Sequence, residues 1–463
     1  MKFVTTRSGP AVSFTTALFE GLAPDGGLYV PDTIEPWADH ELARLPNRTL
    51  TEIGLRALRP FARGDVDAAT LEAVVVEALN FPIPLVEVET NLYALELCHG
   101  PTLAFKDVGA RVMARLMATL HEGDEPLTVL VATSGDTGSA VGHAFYRVPH
   151  TRVVILYPDG RVSPTQEAQL TMFNRSWANV RAYAVAGSFD DCHRLTRQAF
   201  ADVDLRRRMR LTSANSVNVG RLLPQMVYYF HAIAQLLSHD SAQVVPGAPK
   251  RGARDGGKPS IVFSTPSGNF GNLTAGLLAK RSGLPVHRFI AATNANDIVP
   301  AYLATGRFEP RASVQTITNA MDVGNPSNFE RMSWLYEGDR DAMRRDIEGS
   351  RHADDEVRQT IRQVYETRGY LLDPHSAIAY LGLKGRVGQA GQVGQAGQMG
   401  QVSRGQVGIF LATAHPAKFA EIVEPIIGRP VEKPAPLAMA LSRPRHIIRI
   451  DASLDAVKGA LGG

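Results

Sequence analysis

In the stretch HGPTLAFKD (residues 99–107) a lysine, Lys106, follows Leu103, Ala104 and Phe105. A lysine among apolar neighbours loses its proton more readily than one in water, and the free amine is a Schiff-base nucleophile. A lysine that buries its stem and keeps its ammonium solvated has the same local sequence. Four loops elsewhere carry groups that separate the two. Ser267-Gly268-Asn269-Phe270-Gly271-Asn272 follows SIVFSTP and opens the helix-like LTAGLLAK. Glycines there let the backbone approach a ligand closely. The first N–H groups of a helix are unpaired and aligned with its dipole, which suits a phosphate. The same loop also reads as a turn that uses Gly and Asn for backbone freedom alone. ATSGDTG (132–138) gathers Ser134 and Thr137 at a second helix start. Asp136 within it repels an anion and, taken alone, reads as an N-cap. Asn215 and Arg221 lie in NSVNVGRLLPQ (215–225). Arg221 is either a bidentate clamp for a phosphate or carboxylate or a surface arginine, and in isolation the surface reading is favoured. In ATAHPAKF (412–419), Thr413 supplies a neutral hydroxyl, while His415 and Lys418 read equally well as surface residues.

The elements that must position these loops are strand-like and helix-like segments in alternation from Leu92 onward, the pattern of a mainly parallel α/β sheet. The strand candidates are 127–133, 151–158, 180–187, 260–266, 287–294 and 407–413. Ligands of such sheets bind outside the carboxyl ends of the strands, where the loops above fall. Asp107 reads as the cap of a helix whose Val108, Val112, Leu116 and Leu120 face a core. Residues 1–82 form an N-terminal unit that closes at Phe81-Pro82-Ile83-Pro84, since neither proline can donate to a helix. Residues 83–463 form the second region, made of two α/β lobes with the smaller near 108–225. Residues 238–259, rich in Gly, Pro and charge, and 385–406, with GQAGQV followed by GQAGQM, read as flexible inserts outside the core.

Composition narrows the function. A net charge of +3 from 49 basic and 46 acidic residues leaves no strong field for a polyanion, which disfavours nucleic acid. Cys98 and Cys192 cannot build a disulfide framework, and neither has metal-ligand spacing, so no metal is expected. No stretch approaches the length of a membrane span, and the cytoplasm is the expected compartment. Neither GxxxxGK[ST] nor GxGxxG occurs, so nucleotide readings lack a motif. A lysine in apolar company, two anion sites and a neutral hydroxyl in one α/β unit together suit a phosphorylated aldehyde cofactor.

These segments resemble the threonine synthases, pyridoxal-phosphate enzymes of the tryptophan-synthase-β type of fold (fold type II). The resemblance rests on HGPTLAFKD, ATSGDTG, NSVNVGRLLPQ, PSGNFGN, FIAATNANDIVP, NAMDVGNPSNFER, DPHSAIAY and ATAHPAKF. SFTTALFEGLAPDGGLYVP (13–31) resembles that family's leading domain. The resemblance implies that Lys106 forms the Schiff base with pyridoxal phosphate, that Gly268, Asn269, Phe270, Gly271 and Asn272 hold the cofactor phosphate, and that Thr413 faces the pyridine nitrogen. It places Asp136 near the cofactor's 3-hydroxyl, and Ser134, Thr137, Asn215 and Arg221 where the substrate's phosphate and carboxylate bind. The implied activity is a carbon–oxygen lyase that converts O-phospho-L-homoserine and water to L-threonine and phosphate, by a monomer or homodimer acting on small molecules. A phospholyase of the same fold, releasing 2-oxobutyrate and ammonia with phosphate, shares the early steps.

Overall fold

Each of the six apolar runs expected as strands is a strand: Leu127–Ala132, Thr151–Pro158, Val180–Val185, Ser260–Pro266, Arg288–Thr293 and Gln406–Ala412. Nearly every residue in them is buried, as a parallel sheet covered on both faces requires. The computed structural model describes residues 1–174, 178–242, 260–384 and 406–462. Most of the two expected inserts lies outside the described residues. Of their described ends, 238–242 complete the helix Met226–Ala242 and Gln406 opens a strand.

Besides an antiparallel pair in the N-terminal unit, Phe3–Thr5 with Tyr29–Pro31, the strands form two larger sheets. The larger has the spatial order Ile347–Arg351, Arg288–Thr293, Ser260–Pro266, Gln406–Ala412, Leu92–Glu96, Leu85–Glu89. It is parallel except for the hairpin made by its last two strands. The smaller runs Ile448–Ile450, Val180–Val185, Thr151–Pro158, Leu127–Ala132, Arg210–Ser213, all parallel. The strands missed in the sequence are chiefly the edges. Ile347–Arg351 reads IEGSR and Ile448–Ile450 has three residues, too polar or too short for an apolar run. Arg210–Ser213 lies in a segment read as a loop. The smaller lobe also extends past 108–225, because Ile448–Ile450 pairs with Val180–Val185 and Val457 and Leu461 join Leu195 and Ala199 in its core.

The helix Lys106–Leu120 buries Val108, Val112 and Leu116, as its four-residue spacing predicts. Asp107 is not its cap. The cap position is Phe105, without a side-chain bond, and Asp107 lies in the first turn. Its carboxylate accepts from Thr102 N–H (2.8 Å) and Thr102 Oγ1 (2.7 Å), which ties down the loop before the helix.

The first eighty residues share one continuous apolar core with both lobes: Phe14, Leu58 and Val75 belong to the same cluster as Val112, Val227 and Phe263. Polar ties reinforce this. Asn218 Nδ2 donates to Leu18 O (2.8 Å), and the fully buried Arg331 donates to Tyr29 O (3.0 Å), Ser216 O (2.9 Å), Val217 O (2.6 Å) and Asn328 Oδ1 (2.8 Å). Arg331→Met would strand these buried acceptors and is expected to destabilise the chain by about 3 kcal/mol or more. A fall in the urea unfolding midpoint at unchanged slope checks it, and an unchanged midpoint would contradict it.

Candidate active site

The carboxyl ends of Leu127–Ala132, Ser260–Pro266 and Gln406–Ala412 deliver their loops to one cavity of about 330 Å³. Every residue that the sequence assigns to the site lines it: Lys106, Ser134, Asp136, Thr137, Asn215, Arg221, Gly268, Asn269, Phe270, Gly271, Asn272 and Thr413. A larger, more open groove lies between Asp354–Arg368 and Ala420–Ile427, but none of these loops reaches it.

Lys106 is positioned by main-chain pairing to the Thr413 loop. Phe105 N–H donates to Thr413 O (2.8 Å), His415 N–H donates to Leu103 O (3.0 Å), and Ala104 bridges to Ala414. Leu103 takes a left-handed φ of 59°, a strained conformation for a leucine that these bonds hold in place. Lys106 is half-buried, and its open face lines the cavity. Burial lowers its pKa to about 8; Asp136 opposes the change, and Arg221 and Lys418 add to it.

The 267–272 loop opens the helix Gly271–Arg281. Phe270 stands at the cap position with φ 58° and no side-chain cap bond; Leu273 N–H is taken by Asn272 Oδ1 (2.9 Å), which leaves the N–H groups of Gly271 and Asn272 to meet an anion. The two asparagine side chains serve the protein itself. Asn269 bonds Ser216 Oγ (2.7 Å) and Ser327 N–H (2.6 Å), and Asn272 Nδ2 donates to Pro266 O (2.9 Å), which leaves the backbone as the ligand-facing surface. Gly268 lies against the main chain of Met321, where an added Cβ would fall 2.7 Å from Met321 Cα. Gly268→Ala must therefore displace one of two cavity walls, an overpacking cost of about 1–3 kcal/mol. We expect cofactor affinity to fall about tenfold or more, read as faster loss of visible absorbance on dialysis. Retention equal to the unsubstituted chain would contradict it.

Arg221 is buried, and the surface reading of it fails. Its Nη1 donates to Ala214 O (2.7 Å), while its buried Nε has no partner and no carboxylate pairs with it among the described residues. Burial lowers its pKa to about 10, so it stays a cation at neutral pH. A buried cation with an orphan donor on a cavity wall has the chemistry to hold an anion. The hydroxyls of Ser134 and Thr137 and the half-buried Asn215 share that cavity, and Asn215 is fixed through Nδ2 to Ala132 O (2.8 Å).

Asp136 is the first residue of the helix Asp136–Phe145, with Gly135 at the cap, so the N-cap reading is also corrected. Its Oδ1 meets Lys418 Nζ at 2.7 Å and Gln166 Nε2 at 3.1 Å. Burial works against its charge, but Lys418 and Lys106 together outweigh it and hold the carboxyl well below the usual range. Lys418 is fully buried, which overturns its surface reading, and His415 is half-buried and caps Ala417 N–H (3.2 Å).

Sequence reasoning missed Gln166, Lys418 and His375. His375 lines the cavity, its Nδ1 2.9 Å from Asp373 Oδ1 and its Nε2 accepting from Ala320 N–H (3.3 Å), so the proton sits on Nδ1. DPHSAIAY and ATAHPAKF contain two of these residues, but nothing local marks them as buried.

These features fit pyridoxal phosphate: an amine of lowered basicity, an uncapped helix start for its phosphate, and a neutral hydroxyl on Thr413 for its ring nitrogen. Comparison with known proteins agrees. Residues 76–400 match the pyridoxal-phosphate dependent enzyme family, residues 2–79 the threonine synthase N terminus, and residues 393–461 the threonine synthase C-terminal family. The chain is 45% identical to threonine synthase of Haemophilus influenzae, covering 92% of this chain and 90% of that one. It is 42% identical to threonine synthase of Escherichia coli, covering 96% of each. The crystal structure of threonine synthase from Escherichia coli superposes with a TM-score of 0.87 at 38% identity, over 100% of this chain and 99% of that one. Pyridoxal-phosphate-bound threonine synthase from Brucella melitensis gives 0.84 at 36%, over 100% and 98%. The chain belongs to the threonine synthase family of pyridoxal-phosphate-dependent enzymes.

Proposed function

We propose that this enzyme converts O-phospho-L-homoserine and water to L-threonine and phosphate. The observation that carries the reading is the presence, in one cavity with the weakly basic Lys106, of two separate anion sites. One is the uncapped helix start at Gly271, and the other is the buried Arg221 with its orphan Nε. A cofactor phosphate and a substrate phosphate need one each.

In this reading the backbone of 268–272 holds the cofactor phosphate, Thr413 is the partner of the ring nitrogen, and Asp136 serves the 3-hydroxyl. A hydroxyl in place of a carboxylate leaves that nitrogen largely unprotonated. When bound, the cofactor supplies an electron sink for the charge that develops as protons leave Cα and Cβ. Lys106 takes and returns the Cα proton. With a pKa near 8 it has a useful free-amine fraction at neutral pH, where an ordinary lysine is almost wholly ammonium. Arg221, with Ser134 and Thr137, stabilises the phosphate as its bond to Cγ breaks, through a charge already in place before reaction. Asn215 completes the binding of the substrate's anionic groups. The balance is a proton lost from Cβ, phosphate lost from Cγ, a proton gained at Cγ and hydroxide gained at Cβ. The two free, buried cysteines agree with a cytoplasmic enzyme.

Incubation with O-phosphohomoserine tests the reading. Threonine and phosphate in equal amounts are expected; 2-oxobutyrate and ammonia with no threonine would assign the phospholyase reaction instead.

A further inference from the structure

Lys418 sits on the turn Pro416–Phe419, fully buried. Its ammonium touches Asp136 Oδ1 (2.7 Å) on the smaller lobe and donates to Thr102 O (2.9 Å) on the loop before Lys106. Gln166 makes the third contact. Its Oε1 accepts from Ser163 N–H (3.2 Å) and Asn319 Nδ2 (3.4 Å), so its Nε2 is the end that faces Asp136. Stability does not account for this arrangement. A buried ion pair about breaks even against apolar side chains of the same volume.

What Lys418 changes is the charge against which Lys106 works. An unpaired carboxylate beside Lys106 would hold a proton on it, opposing the free amine that the reaction requires. We propose that Lys418 is a positioning residue for the reaction: it takes up part of the charge of the Asp136 carboxylate, so that Asp136 holds the proton on Lys106 less strongly than it would unpaired. This rests on the reading of Lys106 as the reactive lysine.

The remaining charges around Lys106 do not replace Lys418. Arg221 also opposes the ammonium, but from the helix Val219–Leu222 and without contact to Asp136. Asp107 is turned to Thr102, and His375 is tied to Asp373. Asp190, Arg197 and Arg311 are exposed, and His193 is half-buried on the same helix as Asp190.

The test titrates Lys106 itself. Full-length variants are first loaded with pyridoxal phosphate, and their visible band shows that they fold and bind it. The cofactor is then removed, and acetylation of Lys106 by trace acetic anhydride is followed against pH by peptide mass spectrometry. The unsubstituted chain should show a midpoint near 8. Lys418→Met should move it up by about one pH unit or more, because Asp136 is left with Lys106 as its cation. Lys418→Arg should restore it. Asp136→Asn should move it down, and the double variant should fall between Asp136→Asn and the unsubstituted chain. An unchanged or lowered midpoint in Lys418→Met, whatever its melting temperature, overturns the proposal. If Lys418→Met does not fold, an Asp136→Asn midpoint that fails to drop overturns it equally. A failure of the functional reading would instead appear as turnover by Lys106→Ala, which this titration does not use.

Discussion

Lys106→Ala is expected to abolish turnover, with a loss of at least about 10³-fold, and to remove the visible absorption of the loaded enzyme. The size of the effect follows from the two roles proposed for the amine, attachment point and proton carrier. The cavity offers no ready substitute. Lys418 also reaches Asp136, but its ammonium is bound to that carboxylate and to Thr102 O, and burial keeps it there. The substitution should leave the fold intact, because the Lys106 side chain makes no hydrogen bond among the described residues: Asp107 holds the preceding loop through Thr102, and Phe105 is held by Thr413. Far-UV circular dichroism near that of the unsubstituted chain, with activity gone, is the expected pair of results. Retained turnover would show that another group carries the proton.

Arg221→Met is expected to lower kcat/KM for O-phosphohomoserine by about 10²-fold or more, the usual result of removing a fixed donor to a developing charge. Part of the loss should appear in kcat, because the phosphate carries more charge as it leaves than while esterified. Arg221→Lys keeps the charge but not the fork, so it should recover part of the loss. Visible absorbance should be retained in both variants, since the cofactor phosphate is assigned to the helix start at Gly271. Loss of the cofactor from Arg221→Met, at unchanged substrate affinity, would mean that the two anion sites are exchanged.

The parts of the molecule legible in the sequence are those whose cause is local. Central strands such as Leu127–Ala132 and Gln406–Ala412 are apolar throughout because both faces are covered, and the Gly, Ser, Thr and Asn loops after them mark where ligands bind. Edge strands such as Ile347–Arg351 have one side without a neighbour and no such pattern. Asp107 looked like a cap because acids favour helix starts. The helix begins at Lys106, two residues earlier than that cap would place it, because pairing between Phe105 and Thr413 fixes where Lys106 stands. Gln166, Lys418 and His375 gain their meaning from residues far away in the chain: Asn319 for Gln166, Asp136 for Lys418, and Ala320 for His375. The same holds for Arg221, whose burial depends on the close packing of Gly109 against its backbone, where an added Cβ would lie 2.5 Å from Arg221 O.

The reaction proposed for the cavity breaks the Cγ–O bond and hydrates Cβ. Turnover of O-phosphohomoserine in water enriched in oxygen-18 tests it most directly. One labelled oxygen is expected in the threonine hydroxyl and none in the released phosphate, which departs with its bridging oxygen. Homoserine together with labelled phosphate would reveal attack at phosphorus and contradict it.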